Sequence, residues 1–107
     1  MKRIKFNIPA EITLRGSCIK VVYDEDLGTR GQLGLWDRAT NTIKICPGSS
    51  EQVQYETFCH EISEAINDKF VNEDEDGNQA SHRIVDAYGC GLFNLLIENA
   101  GRLVRFE

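Results

Sequence analysis

The sequence predicts an α+β fold, a small and mostly antiparallel sheet packed by two helices, and three observations carry that expectation. The first half is rich in β-branched residues that alternate with polar ones, the second half repeats apolar residues at helical spacing, and turn-forming residues punctuate both. At 107 residues with 41% hydrophobic residues, the chain suits one globular domain spanning 1–107, with no room for a second core.

Ile4-Lys5-Phe6-Asn7-Ile8 alternates and stops at Pro9, as a short strand does. Residues 11–23 are strand-like with a break at Gly16-Ser17. Asp24-Glu25-Asp26 and the stretch 28–31 then read as a polar, flexible connection. Residues 32–36 and 42–46 flank Asp37-Arg38-Ala39-Thr40-Asn41 as the arms of a hairpin, which Pro47-Gly48-Ser49-Ser50 ends. Ser50 suits a helix N-cap and Glu51 the first turn, and Tyr55, Phe58, Cys59, Ile62, Ala65, Ile66 and Phe70 recur as one apolar stripe.

After an acidic loop at 72–78, a second helix over about 79–99 is apolar on most sides and is expected to be largely buried. Gly89 and Gly91 within it cost about 1 kcal/mol each relative to Ala, which is tolerable where another backbone packs close. Gly101 suits a C-cap, and Leu103-Val104-Arg105-Phe106 a short final strand.

The net charge of −5 argues against nucleic acid as the main partner, because phosphate binding needs concentrated Lys and Arg. No apolar run approaches the ~18 residues of a membrane span, and Pro9 interrupts the N-terminal stretch before a signal-peptide core can form. A cytoplasmic protein without a membrane partner is therefore expected. The cysteines at 18, 46, 59 and 90 form no CxxC pair and sit among apolar neighbours, which suggests free, buried thiols.

The chemistry concentrates on the first long helix. With Ile62 at the centre of the apolar stripe, His60 and Glu64 each fall about 160° away and lie together on the opposite face. Four residues apart, an imidazole and a carboxylate there could both reach one metal ion, with Glu61 turned off that axis toward a water. A zinc ion needs a third ligand, and His82 is the only other histidine. His60, Glu64 and His82 would form a His₂Glu set with a fourth position left for water, and Asp86 could orient the imidazole of His82. His60 and Glu64 as an exposed i,i+4 pair, and His82 as an ordinary first-turn residue, would look the same in sequence. Cys59 is a poor nucleophile candidate beside His60, since adjacent helix residues diverge.

The stretch Thr57-Phe58-Cys59-His60-Glu61-Ile62-Ser63-Glu64-Ala65-Ile66, preceded by strand-like Thr42-Ile43-Lys44-Ile45, resembles the active-site helix of the zincin metallopeptidases. It looks like their smallest members, the minimal zincins of phages and mobile elements, distantly related to ImmA/IrrE-type peptidases. The likeness extends over about 34–101, including His82 and Ala87-Tyr88-Gly89-Cys90-Gly91-Leu92. It implies a minimal zincin-like fold, a zinc ion on His60, Glu64 and His82, Glu61 as general base, and a peptide or protein substrate antiparallel to the hairpin's edge strand. Glu64 stands where the HExxH motif has its second histidine, giving an HExxE variant; the added negative charge weakens the pull of a metal on water.

Two further features are weighed. Asn72, Asp74, Asp76 and Gly77 match the opening of an EF-hand loop, but the closing Glu falls at Arg83, so a solvated loop beside the cleft is expected instead of a calcium site. Trp36 reads as a core residue. The function expected is a zinc-dependent hydrolase of peptides or proteins, the alternative an inactive zincin-derived interaction module whose metal, if any, is structural.

Overall fold

The computed structural model of the chain describes residues 4–71, 81–99 and 101–106, so the acidic loop and the calcium reading of it fall outside the described residues. β1 (Ile4–Phe6) and β6 (Val104–Phe106) pair antiparallel in a two-stranded ribbon. β2 (Glu11–Leu14) and β3 (Ser17–Tyr23) form a hairpin around Arg15 and Gly16, both at positive φ (54° and 77°), a turn whose twist matches that of the strands it joins. β4 (Gly34–Asp37) and β5 (Thr42–Ile45) form the expected second hairpin. The main sheet runs β2-β3-β5-β4, antiparallel except for the parallel β3–β5 pairing, and is therefore mixed.

The segment expected to be flexible between β3 and β4 contains a single-turn helix, α1 (Asp26–Thr29). Leu27 explains the difference: it is fully buried, and its carbonyl accepts from the N–H groups of Arg30 and Gln32 at 3.1 and 2.9 Å. One apolar anchor orders an otherwise polar stretch.

Two long helices follow, α2 (Glu51–Ile66), which runs on into a π-helical turn (Asn67–Val71), and α3 (Ser81–Glu98). Both cover the same face of the sheet, where alternate residues Ile12, Leu14, Ile19, Val21, Ile43 and Ile45 meet Phe58, Ile62, Ala65, Ile66 and Leu95. The α+β expectation holds, with one sheet face packed by helices and the other polar. Among the described residues, no helix is long and apolar enough to cross a membrane.

The second helix is not buried all round. Leu92, Phe93, Leu96 and Ile97 are each more than half exposed, because one sheet face offers α3 a single contact surface. That surface is approached closely at Gly91, where an added Cβ would come within 3.1 Å of the Phe70 ring and collide with Ile66. The close neighbours are side chains and not the backbone expected from the sequence. Beyond Gly91, α3 reaches the β2 edge of the sheet. The Asn99 carboxamide accepts from the Thr13 N–H at 2.7 Å and donates to the Thr13 carbonyl at 2.6 Å, while Asn94 accepts from the Arg15 N–H at 2.6 Å. These side chains occupy main-chain groups that an open sheet edge would leave unpaired.

The cysteines are free, as expected, but Cys18, Cys59 and Cys90 are exposed and Cys46 only half-buried. Apolar neighbours in sequence do not share a face in the fold.

Leu95→Ala is expected to cost about 2–5 kcal/mol of unfolding free energy, whereas Phe93→Ala and Leu96→Ala should cost about 0.5 kcal/mol or less. Urea denaturation measures the difference. Equal losses at positions 93 and 95 would mean that the outer face of α3 is packed.

Candidate metal centre at the sheet edge

α2 begins where the sequence places it. Ser50 is extended (φ −66°, ψ 162°) and its hydroxyl accepts from the Val53 N–H at 3.3 Å. The buried arc, however, comprises Thr57, Phe58, Glu61, Ile62, Ala65 and Ile66, so its centre is turned about 50° from Ile62 toward Glu61. Cys59 is carried outward by the same turn, which accounts for its exposure.

The rotation follows from Gly34. A Cβ on that residue would collide with the Thr57 methyl and lie 3.0 Å from Glu61 Oε2 and 3.2 Å from its Cγ. Without one, β4 settles directly on the Thr57–Glu61 line of α2. Glu61 is left only 4% exposed.

β4 is the last strand of the main sheet. The Cys46 N–H donates to the Leu33 carbonyl at 2.8 Å, and alternation along the antiparallel ladder then turns the main-chain groups of Gly34 and Trp36 away from β5. The outward N–H of Trp36 faces the Glu61 carboxyl closely enough to favour its ionised form.

Beside Glu61, the His60 Nε2 and Glu64 Oε2 atoms lie 3.3 Å apart, both side chains exposed. One ligand atom from each of His60, Glu61 and Glu64 falls within 4.8 Å of the others, a group that could hold a metal ion. A groove of about 460 Å³ opens over this corner, lined by residues 31–34 and by Val53, Glu56, Thr57, His60 and Glu61.

Burial pushes the Glu61 carboxyl up, and the neighbouring Glu64 raises it further by hydrogen bonding and by its charge; the Trp36 N–H pulls it partly back, to about 7. Glu61 Oε1 is buried with no hydrogen-bond partner. An orphaned carboxylate oxygen beside a second carboxylate is costly, and a cation held by both would remove the cost. The nitrogen and oxygen donors fit a zinc ion, among other divalent metals.

Of the four site residues expected from sequence, the fold brings together His60, Glu61 and Glu64. Glu61 belongs to the ligand cluster itself, closer than a residue merely facing a water. His82 is the second residue of α3, and its side chain, like that of Asp86, lies outside the described residues. Trp36 packs against the core as expected, but the influence of its main-chain N–H on Glu61 was missed. Gly34 was the available signal, since a glycine inside a strand marks a close approach.

The metal-free protein should lose stability as pH rises. Folded Glu61 keeps its proton up to about pH 7, whereas an unfolded glutamate releases it near 4.5, so its contribution is full below pH 4.5 and is lost as pH rises through 7. The loss is on the order of 3 kcal/mol. In chelator-treated protein, Glu61→Gln should be the more stable of the pair at pH 8 and nearly equal to wild type at pH 4.5, as read by urea denaturation. Identical pH dependence would contradict the burial of an ionising Glu61. Compared with protein-family models, curated proteins and solved structures, the chain matches none.

Proposed function

We propose that the protein is a zinc-dependent hydrolase of the minimal zincin type, acting on a peptide or protein in the cytoplasm. The observation that supports this reading is the convergence of His60, Glu61 and Glu64, the first two lining a groove beside the outward-facing edge of β4, with one buried Glu61 oxygen unsatisfied. His60 and Glu64 hold the ion, with His82 as third ligand. Bound there, zinc supplies Lewis-acid polarisation of a carbonyl and acidifies water.

The chain's own residues supply the rest. Glu61, with its carboxyl raised toward neutral pH, takes a proton from the attacking water and passes it to the leaving amine. The outward main-chain groups of Gly34 and the Trp36 carbonyl receive an extended substrate as an added antiparallel strand, which brings its backbone past the groove. The net charge of −5 leaves nucleic acid the poorer substrate.

One observation favours a second reading. Glu61 lies inside the ligand cluster, and if it bound the ion with His60, Glu64 and His82, four protein ligands would close the site as in structural zinc centres. The protein would then be an interaction module.

Calorimetric zinc titration of chelator-stripped protein, paired with hydrolysis of a peptide library, separates the two. The enzyme reading expects one zinc per chain, binding weakened at least ~100-fold by His60→Ala, Glu64→Ala or His82→Ala, and Glu61→Gln binding zinc within about twofold but cleaving nothing. A Glu61→Gln variant that loses zinc more than about tenfold would favour the closed site. A His82→Ala variant with unchanged affinity would remove His82 from the ligand set.

A further inference from the structure

The C-terminal half of α3 turns one side to the core and another to solvent. Leu95 and Asn99 are buried, whereas Leu92, Phe93, Leu96 and Ile97 are 51, 66, 61 and 63% exposed, and Cys90 is exposed with them. Cys90, Phe93, Leu96 and Ile97 follow at spacings of three and four, and Leu92 precedes Leu96 by four, so the five residues form one stripe along the helix. Residues 87–97 include no charged side chain, and the polar Asn94 is turned to the Arg15 N–H.

Area and charge together select an occupant. A large apolar residue presents roughly 150–250 Å² in full, so the exposed fractions of these four leave on the order of 450 Å² of apolar surface. Two copies meeting there remove about 900 Å² through these residues alone, and Cys90 with the rim brings the contact to the ~1,000 Å² that a specific interface needs. It stays below the ~1,600 Å² of a standard interface, so the pairing is weak. At a net charge of −5, two copies repel wherever charged surfaces face each other, and this stretch brings no charge to the contact. The same charge, with no Lys or Arg at 87–97, disfavours an anionic membrane, which interfacial helices approach through basic residues.

The stripe also fits itself. It is small at one end, at Gly89 and Cys90, and bulky at the other, at Leu96 and Ile97. Antiparallel copies about a twofold axis near Phe93 set each bulky end over a small one, whereas parallel copies would set bulk on bulk and bring the two Glu98 residues to one end. α3 reaches the β2 edge of the sheet, while the groove over His60 and Glu61 lies against β4 at the opposite edge, so pairing leaves the groove open.

We propose that the outer face of α3 is a self-association surface: two copies of the chain pair antiparallel through Cys90, Leu92, Phe93, Leu96 and Ile97 into a weak twofold dimer. The pairing is independent of the hydrolase reading, since none of these residues belongs to the metal centre.

Sedimentation equilibrium of the full chain under reducing conditions, from about 1 µM to about 1 mM, reads the pairing. The average mass should rise from that of one chain toward that of two, with a dissociation constant of about 10–1,000 µM. Phe93→Glu and Phe93→Lys place opposite charges in the same apolar contact, and each should weaken association at least about tenfold, as should Leu96→Glu, with the thermal midpoint of dilute protein unchanged. Tyr23→Glu adds a charge at an exposed position of β3 and should leave association within about threefold. A nitroxide on Cys90, in a Cys18→Ser, Cys46→Ser, Cys59→Ser chain mixed with isotope-labelled wild type, should broaden the amides at 96–97 more than those at 89–90.

A wild type still monomeric at about 1 mM would overturn the proposal, and binding of that monomer to phosphatidylcholine–phosphatidylserine vesicles would assign the face to a membrane instead. Dimers untouched by Phe93→Glu and Leu96→Glu would overturn it by placing the contact elsewhere. So would association weakened by Phe93→Glu and not by Phe93→Lys, since net charge and not apolar contact would then govern it. Broadening strongest at 89–90 would overturn the antiparallel order.

Discussion

Where β4 meets α2 there is no space for a side chain, and Gly34 supplies none. That absence lets the strand settle against Thr57 and Glu61, turns α2 about its axis by about 50° relative to its apolar stripe, and buries a carboxylate that polar patterning alone would leave in water. The burial lifts the Glu61 carboxyl to about 7 and leaves its Oε1 unpartnered. The same rotation moves Cys59 to the exposed side, so no thiol joins the nitrogen and oxygen donors of His60, Glu61 and Glu64.

The two edges of the main sheet are treated differently, and the difference decides where chemistry can occur. At β2, Asn94 and Asn99 from the end of α3 satisfy the main chain of Thr13 and Arg15, so an added strand would have to displace them. At β4, among the described residues, no side chain caps the outward main-chain groups of Gly34 and Trp36 in this way; the Trp36 N–H only faces the Glu61 carboxyl. An open edge is ordinarily an aggregation hazard, and proteins cover or charge such edges unless they use them. Here the less guarded edge is also the wall of the groove that carries the donor cluster.

Much of this was legible in the sequence where the signal was local. The hairpin of β4 and β5, the Ser50 cap and the two long helices each follow from short-range patterns of turn residues and periodicity. The placing of His60 and Glu64 on one exposed helix face also follows, because spacing by four fixes it. Features set by distant contacts were not legible. Parallel pairing of β3 with β5, in which Val21 meets Ile43, depends on a crossover that no local pattern encodes. The burial of Glu61 depends on a glycine 27 positions earlier in the chain. α3 is apolar on most sides, yet Phe93 and Ile97 remain exposed, since a helix lying on one sheet face buries one stripe of its surface. Leu27 shows the converse, a single apolar residue ordering a segment whose composition says loop.

X-ray absorption at the zinc edge, on protein loaded with one equivalent, tests the metal centre most directly, because it reads donor type without requiring a substrate. A site on α2 predicts a shell of nitrogen and oxygen at about 2.0–2.1 Å with histidine scattering and no sulfur. A sulfur shell at about 2.3 Å would put the ion on the free cysteines and contradict a zinc centre built from His60 and Glu64.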